Sequence, residues 1–297
     1  MNGYRALREA AAWIDLSDRG KICVAGEDRA RLLHALCTND VQNLAAGQGQ
    51  YAFFLSEKGR VLADAYLYNA GEVIWLDTEP ELRTTLREHL ERYIIADDVT
   101  LTDETESLAC IGIEGPKALE FALKAQFKTN ANWTGEPGIR VFVPVSGKQD
   151  LIDELSKLGI PQASREEANI VRIENGKPRY GEDISDRYLV QETGLFDAVH
   201  PNKGCYLGQE IVERVRSQGQ VHRLLMRLRI DGSSVPGQGV KLRRNQVDVG
   251  EITSAAYSPG SEETVALGYL RREVLDSGAV VTIADTDPPA IVRPFHS

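Results

Sequence analysis

The residues from Lys203 to Glu210 (Lys-Gly-Cys-Tyr-Leu-Gly-Gln-Glu) bring a thiol, an ammonium, an aromatic ring, an amide and a carboxylate into eight positions. A cysteine near a cation can be held as the nucleophilic thiolate, and Lys203 stands two residues before Cys205. Gly204 and Gly208 bracket Cys205 and Tyr206, and glycine lets backbone approach a ligand closely. Gln209 and Glu210 offer polar groups to the edge of a ring. Spacing alone fits equally a plain turn with a buried Cys and Tyr. Loop signals in Asp197–Asn202 precede the segment, and it runs on into Ile211–Val215.

Other chemistries find less support. The four cysteines, Cys23, Cys37, Cys110 and Cys205, form no C-x-x-C pair and no zinc spacing, so no metal is expected. Cys23 and Cys110 lie in apolar, strand-like runs and Cys37 ends a helix-like stretch, so these three read as small core residues. There is no G-x-x-x-x-G-K-S/T loop and no G-x-G-x-x-G opening a helix, which disfavours a nucleotide enzyme. His34, His89, His200, His222 and His296 lie near no G-x-S-x-G, so a hydrolase triad is unsupported. His200 is the one histidine close to Cys205, and a loop histidine there is expected to be exposed.

The net charge of -10 repels phosphate backbones, so general nucleic-acid binding is not expected. The stretch from Lys203 to Arg229 opposes that balance: Lys203, Arg214, Arg216, Arg223, Arg227 and Arg229 face only Glu210 and Glu213. The longest apolar runs, such as Tyr51–Leu55, fall far short of the ~20 residues of a membrane helix. The N-terminus lacks the pattern of a signal peptide, and a cytoplasmic location without membrane association is the expectation.

These residues need elements to position them. Lys21–Gly26 reads as a buried strand and Glu27–Leu36 as a helix with acids in its first turn. Leu108–Ile113 followed by a helix over Gly115–Leu123 repeats that shape, a weak internal duplication of an α+β module. Arg60–Tyr68 and Glu72–Leu76 form a hairpin turning at Asn69–Gly71. Pro80–Tyr93 has helical leucine spacing. Val141–Val145 is strand-like, and Gln149–Leu158 is a helix ending at Gly159. Beyond residue ~215 the pattern changes. In His222–Ile230, Leu224, Met226, Leu228 and Ile230 fall on one face and Arg223, Arg227 and Arg229 on the other, a half-buried strand. Val240–Leu242, Val247–Ile252 and Val280–Ile283 add short strands between turn signals such as Asp231-Gly232 and Ser277-Gly278. The chain therefore predicts as α+β: two mixed modules, residues 1–105 and 106–218, then a small antiparallel β-barrel over 219–297.

The octapeptide resembles the K-G-C-Y/F-x-G-Q-E signature of the YgfZ-type folate-binding proteins, relatives of the glycine-cleavage T-protein, an aminomethyltransferase. Arg172–Asp183 resembles that family's R-I/L-E-x-G-x-P-x-Y/F-G-x-D run, and Glu192–Leu195 its E-x-G-L element. Thr38–Val41 and Gly59–Asp64 resemble its N-D-V and G-R/G-x-x-D-D elements, and Gly250–Pro259 and Ala266–Leu270 its barrel. The resemblance spans roughly residues 20 to 270, in the family's order. It implies a three-domain cloverleaf around a central opening where folate sits. It makes Glu174 the carboxylate that holds the pterin, whose adjacent N–H donors a carboxylate accepts with charge assistance. Arg172, Lys203, Tyr206, Gln209, Glu210 and Arg223 are expected to complete the folate site.

Asp64 resembles the acid near the folate's reactive nitrogens, and with Cys205 it is the catalytic candidate. The aminomethyltransferases carry two adjacent acids here, and this chain has Ala63-Asp64, one carboxylate fewer for acid–base help. The Cys205 signature belongs to the YgfZ branch, which is linked to repair or assembly of iron–sulfur proteins. A single thiol cannot hold a cluster, which wants about four ligands. The expected function is thus a tetrahydrofolate-binding protein that supports iron–sulfur client proteins through Cys205. The alternative is a folate-dependent aminomethyl- or methyltransferase, and a third reading is a non-catalytic interaction module. The Arg223, Arg227 and Arg229 strip is expected to hold the anionic tail of a polyglutamated folate.

Overall fold

Strict alternation along two central strands decides what faces what. The computed structural model describes residues 2–121, 127–219, 221–275, 281–283 and 291–295. Among them, one antiparallel sheet runs in the order β3 (Gly49–Leu55), β4 (Val61–Asn69), β5 (Ile74–Thr78), β2 (Gly20–Ala25), β6 (Thr100–Asp103). Helices α2 (Arg29–Leu36) and α3 (Arg83–Glu91) cover one face. Ala63, Ala65 and Leu67 of β4 pack there with Leu32, Leu36, Leu86 and Leu90. Side chains one position along a strand point to the opposite face. That puts Asp64, Tyr66 and Tyr68 on the side away from α2 and α3, with Tyr51 and Phe53 of β3 and Asp77 of β5. The register sets Phe53 opposite Asp64 and Tyr66 opposite both Tyr51 and Asp77.

The second sheet runs β1 (Ala12–Asp15), β7 (Leu108–Glu114), β9 (Gly138–Pro144), β8 (Phe127–Asn130). Its strand β1 and helix α1 (Asn2–Glu9) come from the chain's first residues. Helix α4 (Lys148–Lys157) covers one face through Leu151 and Leu155. On the other, Ile14, Cys110 and Phe142 pack with Tyr4 and Leu7 of α1 and with Ala168 and Val171 of α5 (Arg165–Glu174). The inner faces of the two sheets meet where Tyr68 and Phe142 rings lie 5.7 Å apart.

The barrel closes in the order β10 (Arg223–Ile230), β13 (Glu263–Arg271), β12 (Val247–Ser258), β11 (Lys241–Arg244), β14 (Val281–Ile283), β15 (Ile291–Phe295). Met226, Leu228 and Ile230 fill it together with Leu242, Ile252 and Leu270, as the alternation in β10 requires. Helix α5 docks on its outside through Ile173 against Ala256, Val265 and Leu267. No helix among the described residues is long and apolar enough to cross a membrane.

The helix expected over Gly115–Leu123 is a correction. The described part holds only a 3-10 turn at Ala118–Glu120, with Phe121 extended; residues 122 and 123 lie outside the described residues. The hydrogen bonds here run three residues back, Ala118 N–H to Gly115 O at 3.0 Å and Glu120 N–H to Lys117 O at 3.1 Å, and the extended Phe121 ends the turn. Val280, the Ser277-Gly278 turn and His296 also lie outside the described residues. Helices α1 and α5 carry no forecast above, although Ser164 and Glu167 form a reciprocal capping box that marks the start of α5.

Candidate active site on the face away from the first two sheet helices

Asp64 is buried, and its Oδ2 accepts the Tyr51 hydroxyl at 2.5 Å. Burial lifts its carboxyl to about 6. The Tyr51 hydrogen bond opposes the lift, the Glu79 charge adds to it, and Arg19 and Lys177 act against it. Burial and the Asp64 charge push the Tyr51 phenol well up, so it stays protonated as the donor.

A compact set of charges surrounds this acid. Arg19 bonds Asp77 at 2.5 Å and also Glu79, Arg140 of β9 bonds Asp77, and Arg179 reaches Glu79 at 3.0 Å. Burial works to raise Glu79, but Arg19 and Arg179 outweigh it and hold the carboxyl below its usual range. Arg140 also lies over the Tyr66 ring, 4.9 Å from its centre. Alternation in β3, β4 and β5 was the signal that would have found Tyr51, Tyr66 and Asp77. Arg19, Glu79 and Arg140 join from separate elements and had no local signature.

Glu174 is the last residue of α5 and buried. Its Oε1 accepts from Tyr4 at 2.7 Å and from Ser258 at 2.6 Å. Its Oε2 lies 3.4 Å from Arg8 Nε and, though buried, accepts no hydrogen bond. Just beyond, Gly176 takes φ +73, its N–H bonds Ile173 O at 3.0 Å and Lys177 N–H bonds Arg172 O at 2.8 Å. This paired closure ends a helix on a left-handed glycine. A Cβ at Gly176 would stand 2.5 Å from Arg227 Cδ, so the position is doubly restricted to glycine. The closure turns Lys177 toward Tyr66, whose Oη is 3.1 Å from Nζ.

The other residues forecast for the folate site are engaged with protein. Arg172 is fully buried and bonds Asn169 at 2.7 Å, Asp183 at 2.7 Å, Lys177 O at 3.2 Å and also Glu182. The Lys203 ammonium donates to the carbonyls of His34 at 2.5 Å, Cys37 at 2.7 Å and Asn39 at 2.7 Å. It caps the C-terminal end of α2 rather than serving Cys205, which corrects the pairing read from their spacing. Tyr206 packs into the cluster of Phe53, Leu55 and Val212. Gln209 Oε1 accepts Tyr206 N–H at 3.0 Å and so closes the turn into α6 (Gln209–Gln218), while Glu210 pairs with Arg214 at 2.6 Å. Arg223 bonds Glu192 at 3.0 Å and lies over the Tyr188 ring. Arg227 bonds the Glu174 carbonyl, and Arg229 lies 3.7 Å from Glu263. The basic strip exists, but each of its arginines already has a protein partner.

Cys205 is the exposed one of the four cysteines. Its turn is locked to the first sheet by two glycines. Gly208 has φ +81, and a Cβ on it would stand 2.6 Å from Ser56 O and 3.3 Å from Gly59 Cα. The elements at Gly59–Asp64 and Lys203–Glu210 therefore touch, whereas Cys205 itself is on the outside and Asp64 on the inside.

Comparison with known proteins fits this architecture. Residues 2–131 match the GCVT N-terminal domain, and residues 223–292 the glycine cleavage T-protein C-terminal barrel domain. An aminomethyltransferase of Symbiobacterium thermophilum is 29% identical over 90% of this chain and 80% of its own length. One of Synechococcus elongatus is 27% identical over 100% of this chain and 88% of its own. The crystal structure of glycine cleavage system aminomethyltransferase T from Bartonella henselae shares the fold, with a TM-score of 0.90 at 20% identity over 100% of this chain and 88% of that one. The chain thus resembles the glycine cleavage T-protein in sequence over residues 2–131 and 223–292, and shares the fold of the Bartonella henselae protein throughout.

Proposed function

We propose that this protein binds tetrahydrofolate through Glu174 and acts as a folate-dependent aminomethyl- or methyltransferase with Asp64 as its acid–base group. One observation carries the reading: a buried carboxyl on the sheet face away from α2 and α3, held at about 6 and fixed in orientation by Tyr51. Acid–base help at an amine nitrogen needs a placed group that exchanges a proton near neutral pH. Bound folate would supply the nitrogens that receive the one-carbon unit. Glu174 Oε2 faces Arg8 at 3.4 Å and accepts no hydrogen bond, so it keeps acceptor capacity for the pterin's N–H donors. The carboxylate missing at position 63 does not weaken the reading, because Ala63 faces α2 and α3, not Asp64's side of the sheet.

A second reading keeps the iron–sulfur role, with client proteins as partners, and rests on the exposure of Cys205 in a rigid turn. Anaerobic calorimetry and turnover separate the two. Micromolar binding of tetrahydrofolate corresponds to about -8 kcal/mol. Glu174→Gln should weaken it by ~1.5–3 kcal/mol, the worth of a charge-assisted bond. Transfer from a methylamine-type donor that is lost in Asp64→Asn and kept in Cys205→Ser supports the transferase. No turnover, with iron–sulfur enzyme activity lost in cells carrying Cys205→Ser, supports the second reading.

A further inference from the structure

We propose that Lys177 is a ligand-binding cation of the Asp64 site, aimed at an oxygen acceptor carried by the folate. The inference rests on the folate reading above and adds a residue to it.

The argument starts from unused donors. The other two deeply set lysines spend their ammonium groups on carbonyls: Lys21 on Ser17 and Arg19, Lys203 on three. Lys177, partly buried, makes one side-chain hydrogen bond, to Tyr66. Its Nζ otherwise stands 5.6 Å from the centres of both the Tyr51 and Tyr66 rings. Among the described residues no carboxylate lies within ion-pair distance of it. Nearby anions are committed elsewhere: Asp77 to Arg19 and Arg140, Glu79 to Arg19 and Arg179, Asp64 to the Tyr51 hydroxyl. An ammonium removed in part from water with two donors unspent is costly unless something else accepts them. Ring faces soften that cost without using a donor.

Position supplies the rest. Lys177 lies three residues beyond Glu174, fixed there by the glycine closure of α5, and its ammonium reaches Tyr66, which shares a strand face with Asp64. Its backbone thus follows one carboxylate assigned to the folate, and its ammonium lies against Tyr51 and Tyr66 on the strand face that carries the other. Tetrahydrofolate carries oxygens that an ammonium takes at two places: the pterin ring carbonyl, and the aminobenzoyl-glutamate tail with its amide carbonyl and carboxylates.

The test is calorimetric titration of tetrahydrofolate, and of a tetrahydropterin lacking the aminobenzoyl-glutamate, into wild type, Lys177→Met, Lys177→Gln and Lys177→Arg. Melting curves of the unliganded variants confirm folding. The expected result is a roughly tenfold or larger loss of tetrahydrofolate affinity in Met and Gln, with recovery in Arg. Loss for both ligands assigns the ring carbonyl, and loss for tetrahydrofolate alone assigns the tail. Equal binding by wild type and the Met and Gln variants overturns the role of Lys177 and leaves the folate reading standing. A wild type that binds neither ligand overturns the folate reading and this inference with it.

Discussion

Tyr51 and Asp64 sit diagonally across a strand pair, and the phenol of one donates to the carboxylate of the other at 2.5 Å. The bond favours the ionised acid, because a carboxylate accepts a hydrogen bond better than a carboxylic acid does. It is the main counterweight to burial among the groups around Asp64, ahead of Arg19 and Lys177. Tyr51→Phe should therefore raise the Asp64 titration further above about 6. The shift is read from the carboxyl carbon signal in a pH series or from the acidic limb of the turnover profile. A titration that stays in place would show that the bond does not govern this acid.

The same burial has a cost in stability. The folded protein holds the Asp64 proton more tightly than the unfolded chain, about 6 against 3.8. The carboxyl is then neutral in both states below the unfolded value, and its ionisation opposes folding as pH rises through the folded one. Each pH unit of difference is worth ~1.4 kcal/mol. Asp64→Asn should thus stabilise the unliganded protein by up to ~3 kcal/mol at pH 8 while abolishing turnover, and the gain should vanish near pH 3.5. Urea melts at the two pH values check the sign.

Arg172 was expected at the folate site and is instead the hub that joins α5 to the Glu182-Asp183 turn. Thr253 and Ser254 of the barrel bond the same Asp183, at 2.5 and 2.7 Å. Arg172→Met leaves Asp183 buried without its cation, a loss that typically costs 3–5 kcal/mol. The expected outcome is a large drop in the urea midpoint, seen in the absence of any ligand.

The thiols should separate by burial. Cys37 is fully buried, and burial pushes its thiol up. Burial likewise lifts Cys110 to about 12. Cys205 is exposed. Brief alkylation of the native protein should label Cys205 first, with Cys37 and Cys110 reacting only on unfolding. Lys203→Met should leave the Cys205 labelling rate unchanged, because the ammonium serves the end of α2. Peptide mapping of the labelled protein reads both results.

Period-two alternation in β10 and the turn residues between the barrel strands were legible directly, because successive side chains of a strand point to opposite faces. The same period in β4 puts Asp64, Tyr66 and Tyr68 on one face, a signal that the hairpin reading of Arg60–Tyr68 leaves unused. The sequence also held the capping box of α5 and the glycine that ends it, which together fix where Glu174 and Lys177 emerge. What it could not decide was which charges meet. Arg140 reaches Asp77 from 63 positions away, Tyr4 reaches Glu174 from 170, and Lys203 finds the carbonyls of α2 instead of the thiol two residues along. Such pairings are set by how the two sheets and the barrel pack, since a buried charge takes whatever partner the assembled fold brings within reach and not the one nearest in the chain.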